Sequence, residues 1–260
     1  GACWDALTCA LPIWLPTAGG PPSATGLASI ANEVNPVRDY NYLYIPYCTG
    51  DVHVGNHVAA GVRFNGANNT RAALEWVFAR VPEPASVLTV GCSAGSLGAT
   101  VFSRWVSEHY SSSRCVSLGD SYVGVMTESW WATLDENWHL FDSFFPAPGL
   151  EPERLRAFRP DIVGYIGQSY ARSDPTNFYA QYTYNADIVQ TAFTGLAGGD
   201  PLTWTEDMRA IVPTFLDVGT AQNAAAAIGA GVSHCTTPGN GFCESARLTV
   251  VHPVADLRSS

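Results

Sequence analysis

The chain has 260 residues, enough for one large domain with a substantial core, and its 47% hydrophobic and 14% charged residues exclude a disordered chain. Thirteen basic residues against 23 acidic ones leave a net charge of −10. That balance argues against nucleic acid and anionic membranes as partners, because both need clustered Lys and Arg. No apolar run reaches the roughly 18 residues of a spanning helix, so the expectation is a monomer acting on a neutral substrate away from the membrane.

Taken in order, residues 10–38 are rich in Pro and Gly and read as a long loop. Tyr42 to Tyr47 reads as a short strand, and Thr70 to Val81 as a helix closed by Pro82 and Pro84. Ser86 to Val90 is a continuous apolar and β-branched run, the pattern of a buried parallel strand. Gly95 to Tyr110 is helical, and Cys115 to Leu118 is a second short strand ending at Gly119-Asp120-Ser121. Residues 127–185, with Trp130, Trp131, Trp138, Phe141, Phe144 and Phe145, read as a cap or insert over the sheet. Ala186 to Leu196 is a further helix, Ile211 to Val218 a late strand and Ala221 to Ala230 a small-residue helix. Alternating strands and helices predict a single α/β domain over 1–260, with a mostly parallel sheet and helices on both faces.

Chemistry concentrates at Gly91-Cys92-Ser93-Ala94-Gly95. A G-x-S-x-G segment between a strand and a helix holds its serine on a strained, exposed turn, and small neighbours let the two elements approach. The helix N-terminus aims N–H groups at a developing oxyanion. The bland alternative is a Gly-rich turn with an incidental serine. A serine hydroxyl needs a base, and the base an orienting acid, which follow in the chain order Ser, acid, His. Of His109, His139, His234 and His252, His234 is favoured because it sits in the loop after the last strand and small helix. Its alternative is a surface-loop histidine. Asp187 is favoured as the acid, with Asp120 as competitor and Asp217 behind it; Asp120 is alternatively a hydrogen-bond support for the turn or sheet edge.

The seven cysteines include no C-x-x-C pair and the chain has no His-rich cluster, so neither a metal nor another cofactor is expected. Cys3 and Cys9, and Cys235 and Cys243, flank short loops and read as two disulfides, or else as buried thiols. Disulfides point to a secreted or extracytoplasmic protein. Cys92 reads as a packed thiol.

The chain resembles the pectin acetylesterase family, which also contains the Notum carboxylesterases. The matching pieces are Gly1-Ala2-Cys3-Trp4 with Cys9, Tyr47 to Gly55, Asn65-Gly66, the Gly91 to Gly95 turn, Gly119-Asp120-Ser121, Tyr184 to Gln190 and His234-Cys235. The resemblance implies an α/β-hydrolase-like fold and a metal-free serine esterase with Ser93, Asp187 and His234 as its triad. It also implies an oxyanion hole from the N–H groups near Gly1, Ala2 and Ala94, within an oxyanion loop and Pro/Gly-rich loop spanning 1–40. Ser96 stands where the family has a second glycine, and the strands expected before the oxyanion loop are missing, so the N-terminus reads as incomplete. The function implied is removal of acetyl or other short acyl groups from an O-acylated, carbohydrate-like small molecule or polysaccharide. Alternatives are hydrolysis of longer acyl esters or polyesters, with the Trp130–Phe145 aromatics lining an acyl pocket rather than a packed cap, and an inactive glycan binder.

Overall fold

A computed structural model describes residues 26–29, 31–157, 161–215 and 223–237. Gly1, Ala2, Cys3, Cys9, Asp217, Cys243 and His252 lie outside the described residues. A short antiparallel hairpin, β1 (His57–Ala59) with β2 (Val62–Phe64), leads into α1 (Gly66–Phe78). Then come β3 (Ser86–Cys92), α2 (Ala94–His109), β4 (Arg114–Asp120), α3 (Glu128–Trp138), α4 (Pro152–Ala157), α5 (Ile162–Ser173), β5 (Phe178–Tyr184), α6 (Ile188–Leu196), α7 (Trp204–Ile211) and β6 (Ala224–Gly229). Strands β3-β4-β5-β6 form a four-stranded sheet in that spatial order, parallel throughout. This is the α/β architecture the sequence predicts, compatible with an α/β-hydrolase-like fold.

The sheet faces follow from register. Residues 115, 117 and 119 of β4 and 179, 181 and 183 of β5 are buried towards α2 and α5: Ser117 donates to the carbonyl of Ala99 in α2 (3.5 Å), and the Tyr179 ring packs against Tyr170 of α5. Under these helices lies one large apolar core that includes Leu97, Val101, Trp131, Phe141, Ile166, Tyr170, Trp204 and Met208. Burying each such side chain contributes about 1.5–3 kcal/mol. The alternating residues Val116, Leu118, Phe178, Ala180 and Tyr182 turn to the opposite face and stay half-buried among the described residues.

Four expectations change. Tyr42 to Tyr47 is not a strand; Tyr42, Leu43 and Tyr44 are exposed, and among the described residues no strand pairs with them to form a ladder. Of the segment expected as a late strand, Ile211 to Phe215 is helical instead, the end of α7 followed by a 3-10 turn over Val212–Phe215, and 216–218 lie outside the described residues. The alanine run expected as a helix is β6, paired to β5 from Tyr179 opposite Ala224 to Tyr184 opposite Gly229. Small residues there leave room for the tyrosines of β5: a methyl on Gly229 would stand 1.9 Å from the Tyr182 hydroxyl. The Trp-rich segment divides in two. Trp131, Leu140, Phe141 and Phe144 are buried in the main core, so this part is packed structure rather than an open pocket, while Phe178–Tyr184, expected in the cap, is an interior strand of the sheet.

The segment Tyr47 to Gly55 folds around a buried carboxylate. Asp51 accepts the Gly66 N–H (2.8 Å) and the Thr49 hydroxyl. Gly55 and Gly66 are needed there, since a Cβ on either would come within 2.3 Å of that carboxylate. Val52 and His53 both have positive φ (49° and 67°), a conformation that costs non-glycine residues free energy. The His53 ring lies against Gly98 of α2, and burial pushes its imidazole down to about 4. Below about pH 6.5 the unfolded chain takes up a proton that folded His53 refuses, so stability falls as pH drops from about 6.5 towards about 4. The expected result for His53→Gln is a smaller difference between urea midpoints measured at about pH 7 and about pH 4.5.

Candidate active site

Ser93 sits between β3 and α2 with φ 57° and ψ −119°, a left-handed backbone for a residue that is not glycine. The sequence makes the turn possible through Gly91, where a Cβ would stand 2.0 Å from the Gly95 carbonyl oxygen. Strand and helix therefore approach as closely as a G-x-S-x-G turn requires. The Ser93 N–H donates to the Asp120 carbonyl (2.8 Å), and Ala94 opens α2 with its N–H in the first turn. Ser96, where the family has glycine, is accommodated because Gly119 faces it: the Ser96 hydroxyl donates to the Tyr122 carbonyl (3.4 Å) and accepts from Gln181 (3.3 Å).

Asp187 caps α6 and is completely buried. Its Oδ1 accepts the N–H groups of Val189 and Gln190 (both 3.0 Å), and its Oδ2 accepts Gln190 Nε2 (2.9 Å). The Nδ1 of His234 lies 2.8 Å from Oδ2 and 3.0 Å from Oδ1. Burial pulls this carboxyl upward, but the hydrogen bonds from His234 and Gln190 outweigh it and hold Asp187 below its ordinary value. The carboxylate is thus ionised and fixes the proton on His234 Nδ1, leaving Nε2 with the lone pair. The His234 side chain keeps 18% of its surface exposed, against none for Asp187, so the imidazole is open to solvent while its acid is not.

Two loops are zipped together to make that pair. Asn185, Ala186 and Ile188 donate main-chain N–H groups to the carbonyls of Gly229, Gly231 and Val232, and Gly231 returns one to the Asn185 side chain (2.9 Å). Gln190 ties the acid to β5 and to the loop after β4, donating to the Thr183 hydroxyl (2.9 Å) and accepting the Val123 N–H (3.1 Å).

The base loop is bound to the Ser93 turn by two devices that chain spacing does not reveal. First, Cys92 and Cys235 form a disulfide across 143 residues. This corrects the expected Cys235–Cys243 pair and the reading of Cys92 as a packed thiol. The residue before Ser93 is covalently joined to the residue after His234, and a loop that long adds on the order of 4–5 kcal/mol by the chain-entropy model. Their symmetric placement in the sequence was the available signal. Second, β4 register sets Asp120 beside Cys92. Asp120 Oδ2 accepts the Thr236 N–H (2.8 Å), the Thr237 N–H (2.7 Å) and the Thr237 hydroxyl (2.7 Å). Asp120 therefore supports the turn and the base loop rather than touching a histidine. Removing it orphans buried donors at about 1–3 kcal/mol each, so Asp120→Ala is expected to lose about 3 kcal/mol or more in urea unfolding.

The structure brings Asp187 and His234 together and joins the neighbours of Ser93 and His234, but no hydrogen bond links Ser93 Oγ to His234 among the described residues. In ligand-free sites that contact is commonly loose. His109 and His139 are elsewhere, stacked on Phe78 and His57 respectively. Of the expected oxyanion groups, only Ala94 falls within the described residues.

A parallel sheet flanked by helices, with a serine on its strand-to-helix turn, defines an α/β-hydrolase-like protein. Residues 21–139 match the family model described as Pectinacetylesterase, which bears out the resemblance to the pectin acetylesterase family. That family implies carboxylic ester hydrolysis of acetyl esters. The match spans the Tyr47–Gly55 segment, the Ser93 turn and Asp120, and ends before Asp187 and His234. No curated protein matches the chain.

Proposed function

We propose that this protein is a secreted serine carboxylesterase that removes acetyl or another short acyl group from a carbohydrate-like alcohol. The observation that carries the reading is the buried Asp187 carboxylate held against His234 Nδ1 on a loop covalently tied to the Ser93 turn. In this mechanism His234 Nε2 takes the Ser93 proton as Oγ attacks the ester carbonyl. The tetrahedral oxyanion is met by the Ala94 N–H and by N–H groups near Gly1 and Ala2. Protonated His234 then donates to the leaving alcohol, and water activated by the same imidazole hydrolyses the acyl-enzyme. Secretion is supported by the disulfide and by the family's extracellular character.

One observation favours a second reading, longer acyl chains. Ile188, immediately after Asp187, is 61% exposed, and Phe193 and Leu196 continue the exposed apolar face of α6. A comparison of p-nitrophenyl acetate with octanoate separates the two. The short-acyl reading expects kcat/KM for acetate to exceed that for octanoate by about 10-fold or more, with acetate released from acetylated polysaccharide. A preference for octanoate moves the acyl group onto α6 and sinks the acetylesterase reading.

A further inference from the structure

The disulfide and the base share one cluster. The sulfurs of Cys92 and Cys235 and a ring nitrogen of His234 all lie within 4.8 Å of one another. While the sulfurs are bonded to each other they offer no thiolate. Once reduced, the same three side chains present two thiolates and an imidazole, the donor set that suits Zn²⁺ and excludes hard ions such as Mg²⁺. Tetrahedral coordination with Zn–S bonds near 2.3 Å sets two sulfurs about 3.8 Å apart, and here their Cα atoms stand 5.6 Å apart. Asp187 completes the arrangement. Its carboxylate already holds His234 Nδ1, and a carboxylate behind a histidine is the usual outer shell that orients an imidazole towards a metal. The partial exposure of His234 gives the ion a route in and leaves a fourth position for water.

From this cluster we infer that the reduced protein binds one Zn²⁺ through Cys92, His234 and Cys235, and that forming the disulfide expels the ion. The chain is then switched on by oxidation: metal-bound His234 has no lone pair to offer Ser93, and the disulfide returns it. The step balances. Two zinc-bound thiolates join as one S–S bond, Zn²⁺ leaves, and two electrons pass to a disulfide oxidant that is itself reduced to two thiols with two protons from solvent. In reverse, a thiol or phosphine reductant supplies the two electrons, the freed thiols lose their protons, and Zn²⁺ binds.

The test uses the full chain, reduced with a water-soluble phosphine, equilibrated with micromolar Zn²⁺ and freed of excess. Zinc per chain is then counted by elemental mass spectrometry. The expected result is one more zinc per chain in reduced wild type than in oxidised wild type, and one more than in reduced Cys92→Ser/Cys235→Ser, which keeps the other five cysteines. Mg²⁺ in place of Zn²⁺ gives no such difference. His234→Gln in the reduced state weakens zinc binding by at least about 10-fold. Equal zinc in reduced wild type and the reduced double variant overturns the inference. If circular dichroism shows that the double variant does not fold, reduced His234→Gln decides: wild-type zinc affinity there overturns it. Zinc inhibition of ester hydrolysis in reduced protein alone would follow from the proposed esterase function. Zinc retention does not depend on that function, so the two ideas fail separately.

Discussion

Ser93→Ala is expected to lower kcat/KM for p-nitrophenyl acetate by about 10⁴-fold or more while leaving the unfolding midpoint near that of wild type. Both halves follow from the local geometry. The Ser93 hydroxyl makes no hydrogen bond among the described residues, so the fold loses nothing that it holds. The turn is maintained by its backbone: the Ser93 N–H donates to Asp120, and Gly91 meets Gly95 at close approach. Alanine accepts a positive φ no worse than serine does. The chemistry, by contrast, has no other nucleophile on that turn once Oγ is gone, because the neighbouring Cys92 sulfur is committed to Cys235. A loss of activity accompanied by a large loss of stability would instead make Ser93 a structural residue.

Asp187→Asn tests the other end of the relay, with an expected drop in kcat on the order of 10⁴-fold. Asparagine keeps an oxygen that can accept the Val189 and Gln190 N–H groups, so the cap of α6 survives. Its amide nitrogen would face His234 Nδ1 where Oδ2 now accepts, and a donor there turns the imidazole to the wrong tautomer, with the proton on the nitrogen that must receive one from Ser93. The effect should fall on kcat more than on KM, since the substrate does not touch the buried acid. Comparison with Asp120→Ala is informative because the two carboxylates divide the work: one holds the imidazole, the other holds the backbone of the loop that carries it. Asp120→Ala should therefore lose stability first and activity through it.

Much of this arrangement was legible in the sequence, and the exceptions have physical causes. The Ser86–Val90 run and the small residues around Ser93 announce a buried strand, a tight turn and a helix because local pattern and tertiary role agree there. β5 was hidden because its inward positions include Gln181 and Thr183, polar residues that periodicity assigns to the surface. They are buried to bond Ser96, Tyr122 and Gln190, and so to position both the turn and the acid. The β6 run reads as a helix in sequence because alanine has the highest helix propensity, whereas Ala224–Gly229 is extended by pairing with a strand some 45 residues earlier. His234 and Asp187 could be ranked from chain order, but their contact rests on the zipped loops 185–188 and 229–232, a non-local match that spacing does not encode. The Cys92–Cys235 bond belongs to the same class, since cysteine count alone leaves the connectivity open.

The central claim is that Ser93 becomes a nucleophile through His234 and Asp187. Its most direct test is to treat the folded protein with a fluorophosphonate and locate the adduct by peptide mass spectrometry. The expected result is one adduct per chain, on the peptide carrying Ser93, formed far more slowly in His234→Gln and Asp187→Asn. Folded wild-type protein that stays unlabelled, or carries the adduct on another residue, would contradict the account and point to a binding protein or a different active site.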